Sequence, residues 1–418
     1  MEKLLPQLRF PAFKGEWESK KLGDLLEFKN GINATKEQYG RGVKFINVLD
    51  ILNNDFITHE KIIGSVDVDQ SLADKFSVNY GDILFQRSSE TREEVGTACV
   101  YLDKDISATF GGFVIRGKKI GEYEPVFLNK LLKTDLSRDA MTSKSGGSTR
   151  YNIGQEILNS IKLNLPYLPE QTKIATFLTA VDEKLTALKQ KKSLLEQYKK
   201  GVMQQIFSQE LRFKDDTSTS LSTGSGNDFA DWEEKKLGEI CEIAKSGGTP
   251  TSTNKEYYNG DIPFLSISDM TSQGKYLYFT SNHISALGLK NSSSWLVPTD
   301  SIIYSMYASV GFVAINKVPL ATSQAVLNLI FKSEVNLEFM YYTLIDFQKN
   351  IAQFITTGTQ GNLNAHSVKG FLIQIPSLPE QTKIANFLTA IDEKINHCQG
   401  QIEKATIWKK GLLQQLFV

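Results

Sequence analysis

The chain has 418 residues, 41% of them hydrophobic and 22% charged, with 47 basic side chains balanced by 47 acidic ones. That length exceeds what one hydrophobic core organises, so two or more packed units are expected, and the composition excludes a wholly disordered chain. Net zero charge argues against a nucleic-acid binder working by bulk positive charge, and three scattered cysteines (Cys99, Cys241, Cys398) supply neither a disulfide framework nor a cysteine-rich zinc site.

The opening MEKLLPQLRF lacks a long apolar run, and no segment reaches the roughly 18 apolar residues of a membrane span, so a cytoplasmic setting is expected. Residues 1–167 read as a first mixed α and β domain, with strand-like runs at 44–48, 82–85, 113–115 and 161–165 and a helix over 125–132. From 168 to 210 the pattern changes. After Pro169 comes an acidic first turn at Glu170, and no proline follows, which favours one long helix. Ile174, Val181, Leu188, Leu195 and Val202 recur every seven residues, the spacing of a coiled-coil seam. A helix over 170–206 would be about 55 Å long at roughly 1.5 Å per residue.

Residues 211–228 are predicted to be a flexible linker, because 215–228 read DDTSTSLSTGSGND with Leu221 as the single aliphatic side chain. A second mixed domain follows over 229–377, with strand-like runs at 264–267, 301–304, 325–330 and 371–375 and a helix over 337–351. Residues 378–418 repeat the long helix, its seam now Ile384, Ile391, Cys398, Ala405 and Leu412.

The two long segments are copies: residues 168–208 and 378–418 align without a gap and are identical at 21 of 41 positions. Leu8-Arg9-Phe10 returns as Leu211-Arg212-Phe213, Trp17 as Trp232, and the KKLG of 20–23 as that of 235–238. Between these landmarks the halves diverge. Similar frames therefore hold two differently specialised surfaces, since packing restricts scaffold sequence more than loop sequence. Two such helices in one chain are expected to pair antiparallel, relating the halves by an approximate twofold axis and placing the globular parts at opposite ends of the pair. The fold class predicted is α/β (mixed α+β): two globular domains joined by two long helices that form an antiparallel coiled coil.

No catalytic constellation is legible. The nearest phosphate-loop pattern, from Gly112 to Lys119, has lysine where a magnesium-binding hydroxyl belongs, and adjacent prolines of an amino-methyltransferase loop are missing. The four histidines are isolated, and His397 beside Cys398 falls on the helical seam, so no metal is predicted. The paired acids Asp182-Glu183 and Asp392-Glu393 read as solvated or partner-facing. What the sequence does offer is polar loops. In the first half these carry Lys29 and Asn30; Gln86, Arg87, Ser88 and Arg92; and Ser148, Thr149, Arg150 and Tyr151. In the second they carry Ser246, Gly248 and Thr249; Ser305 and Tyr307; Gln324; and Thr359, Gln360 and Asn362. Arginine and amides bond base edges in pairs, while small hydroxyls and backbone N–H groups suit phosphates. All eight arginines lie at or before Arg212, so the second half would rely on lysine, amides and hydroxyls, and a partner would supply much of the phosphate affinity. A coiled-coil adaptor binding proteins at both ends is the competing reading; salt-sensitive duplex binding by the assembled complex separates the two.

Helices that open LPEQTKIA and close on KKG and QQ, present twice, the W-KKLG lead into each variable region and the GGTP at 247–250 together resemble the specificity subunit of type I restriction-modification enzymes over essentially the whole chain. The resemblance implies that the loop residues above bind double-stranded DNA, each half reading one part of a bipartite site. It also implies that the paired helices set the spacer and dock two modification (methyltransferase) subunits. Adenine methylation with S-adenosylmethionine would then belong to those partners, ATP and magnesium to restriction subunits, and no chemistry or cofactor to this chain. The first half has Asn30-Gly31-Ile32-Asn33 where a GGTP would stand, so its first loop departs from the pattern.

Overall fold

The computed structural model describes residues 5–147, 150–214, 221–223, 229–354 and 362–417. It divides into two compact units, Met1–Lys189 with Gly400–Val418, and Gln190–Gln399.

In the first unit the KKLG landmark forms a strand, Glu18–Lys21, antiparallel to Lys162–Leu165. The central sheet runs Leu26–Asn30, Val114–Lys119, Ile83–Gln86, Ala98–Val100, all antiparallel. Every residue of Ile83–Gln86 is buried, as in a strand covered on both faces, which explains the apolar run Ile83-Leu84-Phe85. A smaller sheet orders Ser65–Val66, Tyr39–Ile46 and Thr109–Phe110. Trp17, Leu22, Phe85, Phe127 and Leu131 form one core with Ile174, Leu178 and Val181 of the first long helix, Leu412 and Leu416 of the second, and Phe417 just after it.

The second unit repeats this plan. Glu233–Lys236 pairs with Leu372–Ile375. A five-stranded sheet runs Cys241–Ser246, Val326–Phe331, Ile302–Ser305, Val313–Asn316, Tyr276–Leu277, and a four-stranded one runs Asn282–Ile284, Tyr258–Leu265, Leu320–Thr322, Leu296–Val297. Its core joins Trp232, Leu237, Tyr304, Phe339 and Phe371 to Val202, Met203 and Ile206 of the first long helix and Ile384, Leu388 and Ile391 of the second.

The long helices span Leu168–Phe207 and Leu378–Leu416. In the first unit the opening half of one lies beside the closing half of the other, with Phe177 edge-on to Trp408 (centroids 6.0 Å apart) and Asp182 2.5 Å from Lys409. In the second unit the roles exchange, and Lys199 meets Asp392 at 2.6 Å. This is the antiparallel arrangement that the repeat predicts. Of the seam residues, Ile174, Val181, Leu188, Val202, Ile384, Ile391, Cys398 and Leu412 are buried, while the equivalent Leu195 and Ala405 are half-buried. The stripe also docks the globular cores, so it is broader than a helix–helix seam alone.

Buried ion pairs account for the repeated landmarks. Arg9 donates through Nε and Nη2 to both oxygens of Glu170, each at 2.7 Å, and Arg212 does the same to Glu380 at 3.1 and 2.7 Å. Both carboxylates have no solvent exposure. The next residue is equally fixed: Gln171 accepts from Glu124 N and donates to Pro166 O, and Gln381 accepts from Asn336 N and donates to Pro376 O. Leu8 N donates to Gln415 O at 2.9 Å, so the start of the first copy meets the end of the last helix.

Several predicted boundaries move. The run at 44–48 is instead a strand over Tyr39–Ile46, and Val48–Leu52 is a short helix because Asn47 N is capped by Asp50 at 2.7 Å. Likewise the strand Tyr258–Leu265 stops where Ser266 caps Ile267–Gln273 with Asp269. The helix predicted over 337–351 is α-helical for Leu337–Phe347 and tightens to a 3-10 turn over Gln348–Phe354. Within the expected linker, Leu211–Phe213 is a strand paired with Leu221–Thr223, and Arg212 is buried. The rest of that segment, 215–220 and 224–228, lies outside the described residues.

Candidate nucleic-acid interface

The divergent middles of the two domains are built alike. A 3-10 turn, Lys36–Gln38 or Lys255–Tyr257, leads into the strands Tyr39–Ile46 and Tyr258–Leu265, and each strand slips register at the same place, between Tyr39 and Val43 and between Tyr258 and Ile262. The slip needs a left-handed residue, supplied by Gly40 in one and Asn259 in the other.

That equivalence locates the first loop. A Cβ on Gly31 would fall 2.2 Å from Gly111 O, and one on Gly247 would fall 1.8 Å from Thr322 O, so both positions require glycine. The following amides close the same contact, Ile32 N to Phe110 O and Gly248 N to Thr322 O, both at 2.9 Å. Asn30-Gly31-Ile32-Asn33 is therefore the structural counterpart of the GGTP loop despite its different sequence.

Three further loops are laced to this frame by matching backbone hydrogen bonds. Arg87 N donates to Phe113 O and Met306 N to Ala325 O, both at 2.9 Å; Ile153 N donates to Arg87 O at 3.0 Å and Leu363 N to Met306 O at 3.1 Å. Ser88–Ser89 also pairs with Tyr151–Asn152. The sequence-predicted loops thus converge within each unit.

Their side chains divide into two kinds. Gln86 and Ser305, read above as DNA contacts, are buried (3% and 0% exposed) and shape the loop from within: Gln86 Nε2 donates to Ser88 O and Ser305 Oγ to Tyr307 O. Neither side chain projects from the loop surface, so in this structure the two stand as loop supports and not, as expected from the sequence, as exposed contacts. Gly248 is also buried, and its amide is given to Thr322 O. Lys29 points elsewhere, its Nζ donating to Lys75 O and lying 4.2 Å over the Phe76 ring, and burial lowers its pKa. Ser246 offers its carbonyl to Trp295 Nε1.

The exposed set is Asn30, Arg87, Arg92, Arg150, Thr249, Tyr307 and Gln324, with Ser88, Tyr151 and Asn362 half-buried beside them. Arg87 donates to Gly112 O at 3.3 Å, Arg92 to Thr142 O at 3.1 Å, and Arg150 lies 3.8 Å from Glu90. Thr249 Oγ1 donates to Gln324 Oε1 at 2.8 Å. Ser148, Thr149, Thr359 and Gln360 lie outside the described residues. Sequence reasoning missed Asn33, exposed on the first loop, and Phe113, 65% exposed on the loop that faces it. Among the described residues no three His, Cys, Asp or Glu side chains come together as a metal site.

A second missed feature lies on the long helices. Asp182 receives Lys130 Nζ from the helix Pro125–Leu132 and Lys409 Nζ from the second long helix, each at 2.5 Å. Asp392 receives Tyr342 Oη from the helix Leu337–Phe347 and Lys199 Nζ from the first long helix, each at 2.6 Å. One carboxylate per unit therefore ties three elements together. Only Glu183 and Glu393 are exposed, as read for both members of each acid pair.

A duplicated frame around two long helices, with different exposed side chains on matching loops, defines a tandem-domain protein with two non-identical presenting surfaces. The type I restriction modification DNA specificity domain matches residues 14–197 and 230–406, most of the chain, and the protein belongs to that family. It is 34% identical over 180 residues to the type I restriction enzyme MjaIX specificity subunit of Methanocaldococcus jannaschii, covering 41% of this chain and 40% of that one. To the HindI specificity subunit of Haemophilus influenzae it is 26% identical, covering 87% and 90%. The fold resembles the crystallised type I S subunit of M. genitalium (TM-score 0.58, 17% identity, 99% of each chain) and the HsdS subunit of Thermoanaerobacter tengcongensis (TM-score 0.52, 16% identity, 96% of each).

Proposed function

We propose that this chain is the DNA-specificity subunit of a type I restriction-modification complex, each domain reading one part of a bipartite duplex site. The observation that carries this reading is the lacing of matching loops onto one frame while the exposed chemistry differs. Arg87, Arg150 and Phe113 project in one domain, and Thr249, Gln324 and Tyr307 in the other. Two unlike half-sequences ask for this combination, because base edges are read by side chains while the frame fixes the approach. Of the residues read from the sequence as DNA contacts, Asn30, Arg87, Ser88, Arg92, Arg150, Tyr151, Ser246, Thr249, Tyr307, Gln324 and Asn362 remain candidates, together with Ser148, Thr149, Thr359 and Gln360. Lys29 and Gly248 belong with the supports.

The long helices set the spacer between half-sites and dock two modification subunits. Equivalent positions on them carry an exposed aromatic, Tyr198 and Trp408, each 52% exposed, and a repeated surface suits two copies of one partner. The modification subunits bring S-adenosylmethionine and methylate adenine, the restriction subunits use ATP and magnesium, and this chain performs no chemistry in the cytoplasmic complex. Because 47 acids balance 47 bases, phosphate affinity comes largely from the partners. Reconstitution with modification subunits tests the reading. The assembled complex is expected to methylate one split motif and to lose duplex affinity steeply with salt. Methylation without a motif, or salt-insensitive binding to a protein in place of DNA, contradicts it.

A further inference from the structure

Resting on that reading, we infer that Asn33 and Gln324 are equivalent base-edge readers, each recognising an adenine in the major groove of its half-site. The pairing of strands sets the equivalence. Phe45 and Ile46 run parallel to Thr109 and Phe110 as Phe264 and Leu265 run parallel to Ala321 and Thr322, so two residues further on Gly112 matches Gln324. On the facing loop, counting two residues from the glycines that touch a carbonyl, Asn33 matches Thr249.

In the second domain the amide comes from the Gln324 side and the small hydroxyl of Thr249 steadies it at 2.8 Å. In the first domain the sides are exchanged. Gly112 has no side chain, and a Cβ there would lie 1.9 Å from Asn33 Oδ1, so the Asn33 amide occupies the space in which a side chain at 112 would begin. Each domain thus presents an exposed carboxamide at one place between the same two loops, reached from opposite directions.

A carboxamide offers one acceptor and one donor side by side. Adenine presents N6–H₂ and N7 in the matching order, whereas guanine presents two acceptors, so the amide favours adenine. The Thr249 hydroxyl uses one lone pair of Gln324 Oε1 and turns the amide plane, leaving the second lone pair and the Nε2 donors for the base. Arg87, bonded to Gly112 O beside Asn33, keeps donors for an adjoining phosphate or base.

The test maps the methylated motif of the complete complex carrying Gln324→Ala, Gln324→Glu or Asn33→Ala, with the melting temperature of each complex measured alongside. Gln324→Ala is expected to relax one A·T position in one half of the motif, raising use of the wrong base by about 5- to 150-fold, and Asn33→Ala to relax one A·T position in the other half. Gln324→Glu keeps the side-chain size and is expected to lose the adenine preference at that same position. A motif unchanged in all three variants, relaxation at a G·C pair, or adenine retained by Gln324→Glu overturns this inference while the specificity-subunit reading stands. A wild-type complex with no motif overturns that reading and this inference together.

Discussion

Glu170 and Glu380 show why four letters recur at the head of each long helix. Each carboxylate is fully buried, and each is satisfied by a guanidinium brought from a triplet outside the helix, Arg9 or Arg212. In the second unit Trp232 Nε1 adds a third donor at 3.2 Å. Removing the cation leaves a buried charge unpaired, which costs about 3–5 kcal/mol, whereas an exposed pair such as Arg41 with Asp67 contributes less than about 1 kcal/mol. Arg212→Ala is therefore expected to lower the melting temperature of the second unit by several degrees and Arg41→Ala to leave stability nearly unchanged, as thermal unfolding by circular dichroism would show. A small effect of Arg212→Ala would mean that the pair is not the lock. The triplets were legible as repeats, but their partner was not: Glu170 is 161 residues from Arg9, and its sequence neighbourhood reads as an ordinary acidic first turn. Gln86 illustrates the opposite error, since an amide in a polar loop reads as a contact until its burial is seen.

Among elements, the long helices were the most legible, because seven-residue spacing and a proline start are local properties. Their attachment to the domains was not. Asp182 and Asp392 each join a domain helix to both long helices, and nothing in an Asp-Glu pair distinguishes the bound member from the solvated one. Burial pushes the Asp182 carboxyl up, but hydrogen bonds from Lys130 and Lys409 outweigh it, so its pKa lies below the ordinary value. A depressed folded-state pKa contributes stability that is present above the unfolded value of about 3.9 and is lost as pH falls through the folded value. The wild type is thus expected to lose stability faster than Asp182→Asn on acidification below about pH 4, and to be the more stable of the two at pH 7. Melting temperatures across that range check both; parallel curves would show that Asp182 is not the clamp. The strand-to-helix switches at Asn47 and Ser266 were missed because a capping box ends a strand as firmly as it starts a helix.

For the whole molecule, the tandem plan was legible from its ends and hidden in its middle. The offset between copies is 210 in the long helices but 219 between the slipped strands, Tyr39 and Tyr258, so an ungapped comparison loses the match where loop lengths differ. On the proposed reading the paired helices fix the distance between half-sites. Inserting one heptad into each helix adds about 10 Å, roughly three base pairs, and is expected to lengthen the gap in the methylated motif while leaving both half-sequences alone. The most direct measurement is methylome sequencing of a strain whose single active system carries this chain with residues 229–377 replaced by the corresponding domain of a relative with a different motif. Replacement of one half of the motif, with the other half unchanged, is the result expected; an unaltered motif, or one changed on both sides, would contradict the two-reader account.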